Sequence, residues 1–324
     1  MTAPTVSELQ AVVEAGLRQV VPGFSPEGLY APARYALEGG GKRVRPLLVL
    51  LAAQASGAST QEALPAALAV EVFHTFTLVH DDVMDHSATR RGRPAVHTAW
   101  DEPTAMLAGD LLMGESYRLL AASPRGDLRA MLATWNEMVR RLCEGQALDK
   151  AFETDPGVSV ERYLDMIDRK TGALLACALE LGGLIGGADA DALEALRETG
   201  YAAGRAFQIQ DDLLDLTADD AAWGKPVGGD LVEGKRTYLL LRALERAADD
   251  DAAFFAAVVS RPGLEAERVS EARTRMDRLS VLDDARAAVQ GWTERSLGAL
   301  RRLPEHDARL ALEDLIARLS GRSR

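Results

Sequence analysis

The chain has 324 residues, of which 47% are hydrophobic and only 5% aromatic, and its formal net charge at pH 7 is −12. This length can bury a large core, and a core built mainly from Ala and Leu favours helices over sheets. The negative charge argues against a general nucleic-acid binder, because phosphate backbones require a basic surface.

The cysteine content and the apolar segments exclude further classes of protein. Cys143 and Cys177 are the only cysteines, and the N-terminus carries no apolar signal-peptide core. The longest weakly polar stretch, residues 172–188, is interrupted by Glu180 and by pairs of glycines. We therefore expect a soluble, cytoplasmic protein without a membrane span.

Seven segments carry apolar residues at helical spacing, and the two-residue alternation of strands is absent. In chain order they are residues 47–53, 63–79, 104–122, 128–152, 160–184, 190–216 and 237–247. The breaks between them are short and rich in Gly or Pro, at residues 38–46, 123–126, 154–157, 182–187 and 218–235. No linker or composition shift divides the chain, so an all-α fold with a single domain over residues 1–324 is predicted.

Two aspartate clusters follow apolar runs, DDVMD at residues 81–85 and DDLLD at residues 211–215. On a helix, residues four apart lie about 40° apart around the axis, so Asp81 and Asp85 share a face, as do Asp211 and Asp215. Carboxylates on one face repel unless a cation lies between them, and Mg²⁺ binds through one or two carboxylates plus substrate phosphates. One such cluster is equally typical of a solvated helix end, but its repetition favours a magnesium–diphosphate site.

Basic loops accompany both clusters. GGGKRVRP at residues 39–46 opens a helix with Pro46 in its first turn, and three cations there oppose the helix dipole unless an anion binds between them. TRRGRP at residues 89–94 follows the first cluster, and no acidic partner for a purely structural role is evident nearby in the sequence. WGKP at residues 223–226 and GKRT at residues 234–237 follow the second cluster. A solvated basic turn is the alternative for such a loop taken alone.

The histidines give one candidate contact. His74 lies seven residues before Asp81, on nearly the same helical face, which favours ligand contact over the commoner role of a satisfied core histidine. The other four histidines have no metal-ligand spacing with one another or with the cysteines, so no zinc site is predicted. They are His80, His86, His97 and His306.

These motifs resemble those of all-trans isoprenyl diphosphate synthases of the polyprenyl synthetase family. The resemblance covers nearly the whole chain and also includes GDLL, EGQALD, RKTGALL and GKPVGGDLVEGKRT, in the family's order. It implies a homodimer whose subunit is one large helical bundle around a deep central cavity, with the two aspartate motifs facing each other at its mouth. The implied reaction joins isopentenyl diphosphate to an allylic diphosphate by ionisation, condensation and elimination.

The resemblance also implies residue roles. About three Mg²⁺ ions would be held by Asp81, Asp85 and Asp211, with Asp82, Asp212 and Asp215 supporting. The allylic diphosphate would be bound by Arg90, Lys170, Thr171, Gln208, Lys225 and Lys235. Isopentenyl diphosphate would be bound by Lys42, Arg45, His74 and Arg91. The residues implied to be catalytic are Asp81, Asp82, Asp85, Arg90, Lys170, Asp211, Asp212 and Lys225. Gln146 and Asp149 resemble a motif near the metals, and the departing diphosphate would itself be the final base.

Product length in this family is set by bulk on the helix below the first aspartate motif. Phe76 and Thr77 lie five and four residues before Asp81, and DDVMD carries no insertion. A lone aromatic at the fifth position resembles the geranylgeranyl type, so a twenty-carbon product is predicted. Farnesyl diphosphate or a longer polyprenyl diphosphate is the alternative, and Phe76 as ordinary core packing stays open.

Two other functions share part of this pattern with a chain-elongating synthase. A class I terpene cyclase also uses DDxxD and Mg²⁺, but its second metal motif mixes Asn, Ser and Glu where this chain has DDLLD. A non-catalytic subunit of a heteromeric synthase would carry eroded aspartate or basic motifs, and none is eroded here. Both are therefore less favoured than the synthase.

Overall fold

The computed structural model describes residues 5–21, 23–218, 227–259 and 263–321, and 77% of the chain is helical. The helices are α1 (Val6–Leu17), α2 (Glu27–Leu37), α3 (Val44–Ala55), α4 (Thr60–Met84), α5 (Val96–Ala99), α6 (Glu102–Ala121), α7 (Leu128–Phe152), α8 (Val160–Ile167), α9 (Ala173–Gly186), α10 (Ala190–Thr217), α11 (Gly229–Val232), α12 (Tyr238–Arg246), α13 (Asp249–Val259), α14 (Val269–Arg278), α15 (Val281–Leu300) and α16 (Asp307–Ser320). Within those described ranges the only strands are β1 (Thr89–Arg90) and β2 (Arg93–Pro94), which form an antiparallel hairpin.

All seven predicted segments lie in helices to within one residue at each end, so the predicted all-α fold is confirmed. The segment 160–184 is α8 and α9 joined by a π-helical turn, Asp168–Gly172. Such turns place one extra residue in the helix and are frequent at functional sites. Among the described residues, six helices of eight or more residues lie outside the predicted segments, at the two ends of the chain, namely α1, α2, α13, α14, α15 and α16.

Helix α4 carries the first aspartate motif at its C-terminal end. It begins at a capping box in which the Ser59 hydroxyl accepts from the Glu62 amide and the Glu62 carboxylate accepts from the Ser59 amide. Among the described helices it is the one that is long and apolar enough to cross a membrane, but 67% of its most apolar window is buried inside the fold. Packing against α3 and α6 accounts for its apolar composition.

The chain forms two compact units, and each has its own apolar core. The first contains the described residues of Met1–Trp135, Cys177–Arg197 and Arg301–Leu312, and its largest buried side chains include Phe73 and Trp135. The second contains those of Asn136–Ala176, Glu198–Leu300 and Glu313–Arg324, and its core includes Tyr163 and Phe255. The single domain expected from the sequence stays a prediction.

The predicted break at residues 182–187 is wrong, because α9 continues to Gly186 and ends only at Gly187, where φ is +84°. Gly182 lies in the helix because α9 approaches the backbone of α3 there. A Cβ atom on Gly182 would lie 2.5 Å from the carbonyl oxygen of Val49. The glycine thus permits close helix packing, whereas the sequence pattern suggests a turn.

Gly182→Ala should destabilise the protein by about 2 kcal/mol, since the added methyl group must displace the α3 backbone. Gly114→Ala is the matched control, because a Cβ on that exposed helical glycine meets no atom within 4 Å. The control should be neutral or stabilising by about 0.5–1 kcal/mol. Urea unfolding of both variants measures the difference, and equal stabilities would contradict the packing argument.

Candidate active site

The first aspartate motif lies at the end of α4. The Asp85 amide donates to the Asp81 carbonyl at 2.8 Å, so these two residues lie one helical turn apart, as predicted. Asp85 is exposed and Asp81 half-buried, whereas Asp82 is only 3% exposed. The motif therefore combines two outer carboxylates with one that is turned into the protein.

Asp82 is held by Arg90 of the β1–β2 hairpin. The Arg90 Nε donates to Asp82 Oδ1 at 2.9 Å, and Nη2 contacts the same oxygen. The hairpin turns through Arg91 and Gly92, both with positive φ, which brings Arg90 back over the end of α4. The expectation that Arg90 has no acidic partner nearby in the sequence is therefore wrong, because Asp82 lies eight residues earlier.

The cationic residues of the loop before α3 lie in two different environments. Arg43 is buried, with φ of +47°, and it binds Glu14 and Glu71 at 2.7 Å each and donates to the Leu37 carbonyl at 2.9 Å. This pairing makes Arg43 part of the scaffold. Lys42 is exposed, and helix α3 begins at Val44, with Pro46 in its first turn as predicted.

The same loop contacts the hairpin. Arg91 donates to the Gly40 carbonyl through Nη1. Its guanidinium lies so close to Gly41 that a Cβ there would be 2.8 Å from Arg91 Cζ. A glycine with φ of +130° is thus required for both conformation and space. The loop and the hairpin consequently place two sets of cations beside α4.

His74 lies among these arginines. Its Nε2 is 3.1 Å from Arg45 Nη1, and because a guanidinium only donates, Nε2 is the acceptor. Burial, followed by the charges of Arg45, Arg91 and Arg90, holds the pKa of His74 well below its usual range. The imidazole is therefore neutral at pH 7, and the positive charge of this region comes from arginine.

A cleft in the first unit brings together part of the predicted set. It is lined by Tyr35, Ala36, Gly39, Thr75, Leu78, Val79, Asp82, Arg90, Arg91, Arg93, Pro94, Ala95 and Val96. Asp82, Arg90 and Arg91 were predicted as site residues. Lys42, Arg45 and His74 do not line it.

Phe76 belongs to an aromatic group in the first unit. Its ring contacts those of His80 and Phe73 with centroid separations of 4.7 and 5.2 Å, and Phe73 packs in turn on Trp135 at 5.3 Å. Thr77 is buried, and its hydroxyl donates to the His74 carbonyl at 2.8 Å. These contacts suit both a cavity floor and ordinary core packing.

The second aspartate motif lies near the end of α10 and repeats the pattern of the first. Asp212, its middle carboxylate, is 5% exposed. It accepts from the Tyr163 hydroxyl at 2.6 Å, the Tyr238 amide at 2.9 Å and Gln208 Nε2 at 3.2 Å. Burial, and then the charge of Asp230, raises the pKa of Asp212 to about 7.

The π-helical turn presents two further predicted residues. Lys170 forms an ion pair with Asp149, and the Thr171 hydroxyl donates to Gln208 Oε1 at 3.3 Å. A Cβ on Gly145 would lie 2.4 Å from the Lys170 amide nitrogen, so α7 passes close to the turn. The EGQALD motif is thus explained: its glycine permits the approach and its aspartate receives the lysine.

The remaining predicted residues of the second motif lie around Asp230 of α11. Asp215 accepts from the amide of Asp230 at 3.2 Å, and the Asp230 carboxylate is 3.5 Å from Lys235 Nζ. Lys235 also binds Glu233 at 2.7 Å. Lys225 lies outside the described residues.

A pocket in the second unit gathers much of this site. It is lined by Asp149, Tyr163, Met166, Ile167, Lys170, Gln208, Asp212, Asp230, Lys235, Arg236 and Thr237. Sequence reasoning missed Tyr163 and Tyr238 as partners of Asp212. Tyr163 occupies an apolar position of a helix, and nothing in the sequence shows that its hydroxyl bonds a residue 49 positions later.

Comparison with known proteins places the chain in a family. A family model described as polyprenyl synthetase matches residues 26–276. A geranylgeranyl diphosphate synthase of Methanosarcina mazei is 42% identical over 241 residues, which are 74% of each chain. A geranylfarnesyl diphosphate synthase of Natronomonas pharaonis is 38% identical over 336 aligned positions, covering 98% of this chain and 97% of the relative.

Solved structures agree with this assignment. The crystal structure of geranylgeranyl pyrophosphate synthetase from Pyrococcus horikoshii Ot3 superposes with a TM-score of 0.92 at 36% identity, covering 98% of this chain and 97% of that one. The chain belongs to the polyprenyl synthetase family, and the predictions of that family and of a prenyltransferase are confirmed.

The depressed pKa of His74 predicts a pH dependence of stability. The unfolded chain binds a proton at His74 below about pH 6.5, while the folded chain does not until a lower pH, so the free energy of unfolding falls as pH drops through that window. His74→Gln removes the titration and keeps a polar side chain. Urea unfolding at pH 8 and pH 5 should show a steeper loss for the wild type, and parallel losses would contradict a buried neutral imidazole.

Proposed function

We propose that the chain is a Mg²⁺-dependent geranylgeranyl diphosphate synthase, which condenses isopentenyl diphosphate with an allylic diphosphate. The observation that carries the proposal is the arrangement repeated at the two aspartate motifs. In each, the middle carboxylate is buried and held by protein donors, and the outer carboxylates lie one turn apart on the helix. Cationic side chains of neighbouring loops lie beside each motif.

The donor set fits magnesium. Within the described ranges no three His, Cys, Asp or Glu side chains converge into a ready metal site. Mg²⁺ does not require one, because it binds through one or two carboxylates and completes its shell with water and phosphate oxygens. The residues proposed to hold about three ions are Asp81, Asp85 and Asp211, with Asp82, Asp212 and Asp215 in support. Such ions stabilise negative charge on a leaving diphosphate.

The buried middle aspartates have a supporting role in this proposal. Asp82 accepts hydrogen bonds from Arg90, and Asp212 accepts them from Tyr163, Tyr238 and Gln208. Carboxylates with their lone pairs so engaged orient the end of the helix, and the outer carboxylates are the ones proposed to bind the cations. This division explains why each motif contains three aspartates when two suffice to bind an ion.

The cations of the chain bind and orient the two substrates. The residues proposed for the allylic diphosphate are Arg90, Lys170, Thr171, Gln208, Lys225 and Lys235, and those for isopentenyl diphosphate are Lys42, Arg45, His74 and Arg91. Neutral His74 accepts from Arg45 and so directs that guanidinium. A guanidinium pairs with phosphate oxygens two at a time, which fixes the orientation of the bound group.

No protein nucleophile takes part in the proposed reaction. Loss of the allylic diphosphate gives a cation, the isopentenyl double bond attacks it to form the new C–C bond, and a proton then leaves. Oriented diphosphate oxygens accept that proton. The protein contributes position, charge and the exclusion of water.

A twenty-carbon product is favoured by Phe76, which stands without a second aromatic at Thr77. The name of the Methanosarcina mazei relative supports it, while the geranylfarnesyl product in the name of the Natronomonas pharaonis relative supports a longer alternative. Farnesyl diphosphate is the shorter alternative. We further propose a cytoplasmic homodimer whose subunit functions as a single domain.

The test is an assay of the purified chain alone with labelled isopentenyl diphosphate and farnesyl diphosphate, with and without Mg²⁺. A labelled twenty-carbon diphosphate formed only with Mg²⁺ supports the proposal. A hydrocarbon product would instead indicate a cyclase. An inactive chain that acquires activity only with a second protein would indicate a non-catalytic subunit.

Removing charge from an outer aspartate should stop ionisation. Asp81→Asn and Asp211→Asn should each lower turnover by at least about a hundredfold, since transition-state stabilisation falls by several kcal/mol. Asp283→Asn is the control, because that carboxylate is 78% exposed and, among the described residues, pairs with Arg286 on its own helix. Near-normal turnover of either outer variant at saturating Mg²⁺ would refute the metal assignment.

Product length should follow the bulk at Phe76 and Thr77. Phe76→Ala removes the ring between His80 and Phe73 and should give products longer than twenty carbons. Thr77→Phe adds bulk and should shift products toward fifteen carbons. Chromatography of the dephosphorylated products measures both, and an unchanged distribution in Phe76→Ala would leave Phe76 as core packing only.

A further inference from the structure

One face of α12 is bound by a single carboxylate of α15. Tyr238, Arg242 and Arg246 lie at positions i, i+4 and i+8 and so share that face. The Tyr238 hydroxyl donates to Asp284 Oδ2 at 2.9 Å, Arg242 Nε to the same oxygen at 2.7 Å, and Arg246 Nη2 to Oδ1 at 2.5 Å. Asp284 therefore fixes two turns of α12.

The first residue of α12 also contacts the second aspartate motif. Amides in the first turn of a helix have no intrahelical acceptor. The Thr237 hydroxyl accepts from the Leu240 amide, and the Tyr238 amide donates to Asp212 Oδ2 at 2.9 Å. The partial positive charge at the start of the helix strengthens this bond. The position of Asp212 thus depends on where α12 begins.

The contacts between Asp284 and α12 are partly shielded from water. The Asp284 side chain is 18% exposed, and those of Arg242 and Arg246 are 29% and 34% exposed. Burial, and then the bond to Asp284, raises the pKa of Tyr238 to about 12, so its hydroxyl stays a donor. Arg246 also donates to the Ser280 carbonyl just before α15, which ties both helix ends together.

We infer that Asp284 is a positioning residue for the second aspartate motif: it fixes α12 so that the Tyr238 amide holds Asp212 in place. Asp284 acts through α12, whose Tyr238 amide bonds Asp212, and is not assigned any contact with substrate. The inference rests on the proposed function in one respect, namely that the second motif binds a Mg²⁺-diphosphate. It gives α15, one of the helices after α12, a role that the sequence alone does not suggest.

The test is the affinity of the full chain for inorganic pyrophosphate in the presence of Mg²⁺, measured by calorimetry. Asp284→Asn keeps the size of the side chain and removes its charge, and should weaken binding about tenfold. Tyr238→Phe removes one hydroxyl and should weaken it about threefold. Hydrogen exchange at the amides of residues 238–241 should be faster in both variants.

Asp251→Asn is the matched control. This carboxylate lies in the same unit, is 12% exposed, and binds Arg275 at 2.5 Å and Arg278 at 2.7 Å. Its bonds within the described residues are to these two arginines and not to Tyr238 or Asp212, so its loss should leave pyrophosphate affinity within about twofold of the wild type. If Asp251→Asn and Asp284→Asn weakened pyrophosphate binding equally, the effect would come from the loss of any ion pair in this unit. That result would overturn the inference.

Each of the remaining outcomes also supports or overturns the inference about Asp284. Unchanged affinity in a folded Asp284→Asn variant overturns the inference, as does a wild type that fails to bind Mg²⁺-pyrophosphate. If Asp284→Asn does not fold, Tyr238→Phe decides it, and unchanged affinity there overturns it. Binding is measured without isopentenyl transfer, so a wild type that bound pyrophosphate but formed no product would refute the proposed synthase while the variants still test the inference.

Discussion

The structure around both aspartate motifs depends on the burial of one carboxylate in each. A buried carboxylate is costly unless donors surround it. Asp82 obtains its donor from the hairpin through Arg90, and Asp212 obtains its donors from α8, α10 and α12. Each requirement brings a different part of the chain to a helix end. The hairpin also carries Arg91, and Lys170 and Lys235 lie in segments next to α8 and α12.

The arginines of the first unit illustrate how the fold assigns cations to roles. Arg43 lies in a row of basic residues, yet its bonds to Glu14 and Glu71 make it a structural ion pair. His74 adds no charge, since its neighbours keep it neutral. The positive charge around His74 therefore comes from arginine side chains and not from the imidazole.

Sequence alone predicted the helices with broad apolar faces and the one-turn spacing of the outer aspartates. It did not predict helices such as α14, which buries only Val269, Ala272 and Met276 among charged residues. A stripe that narrow is hard to tell from a solvated segment. Gly182 was mistaken for a break because the pattern of a sequence does not reveal which helix comes close.

The contacts that define the site are long-range, which is why the sequence could name its residues but not their partners. Asp212 is bonded to residues 49 positions before and 26 positions after it, and Lys170 to Asp149 across 21 positions. Motif resemblance supplied the identities of Asp212, Lys170 and Gln208. Tyr163 and Tyr238 belong to no motif and became visible only in the folded chain.

We propose that the outer aspartates bind the metal while the middle aspartates are held by protein donors. Anomalous diffraction from crystals grown with Mn²⁺ in place of Mg²⁺ and with inorganic pyrophosphate tests it most directly. We expect Mn²⁺ bonded to Asp81, Asp85 and Asp211, with the middle carboxylates still bonded to their protein donors. Mn²⁺ bonded directly to Asp82 or Asp212, or pyrophosphate bound without any Mn²⁺, would contradict it.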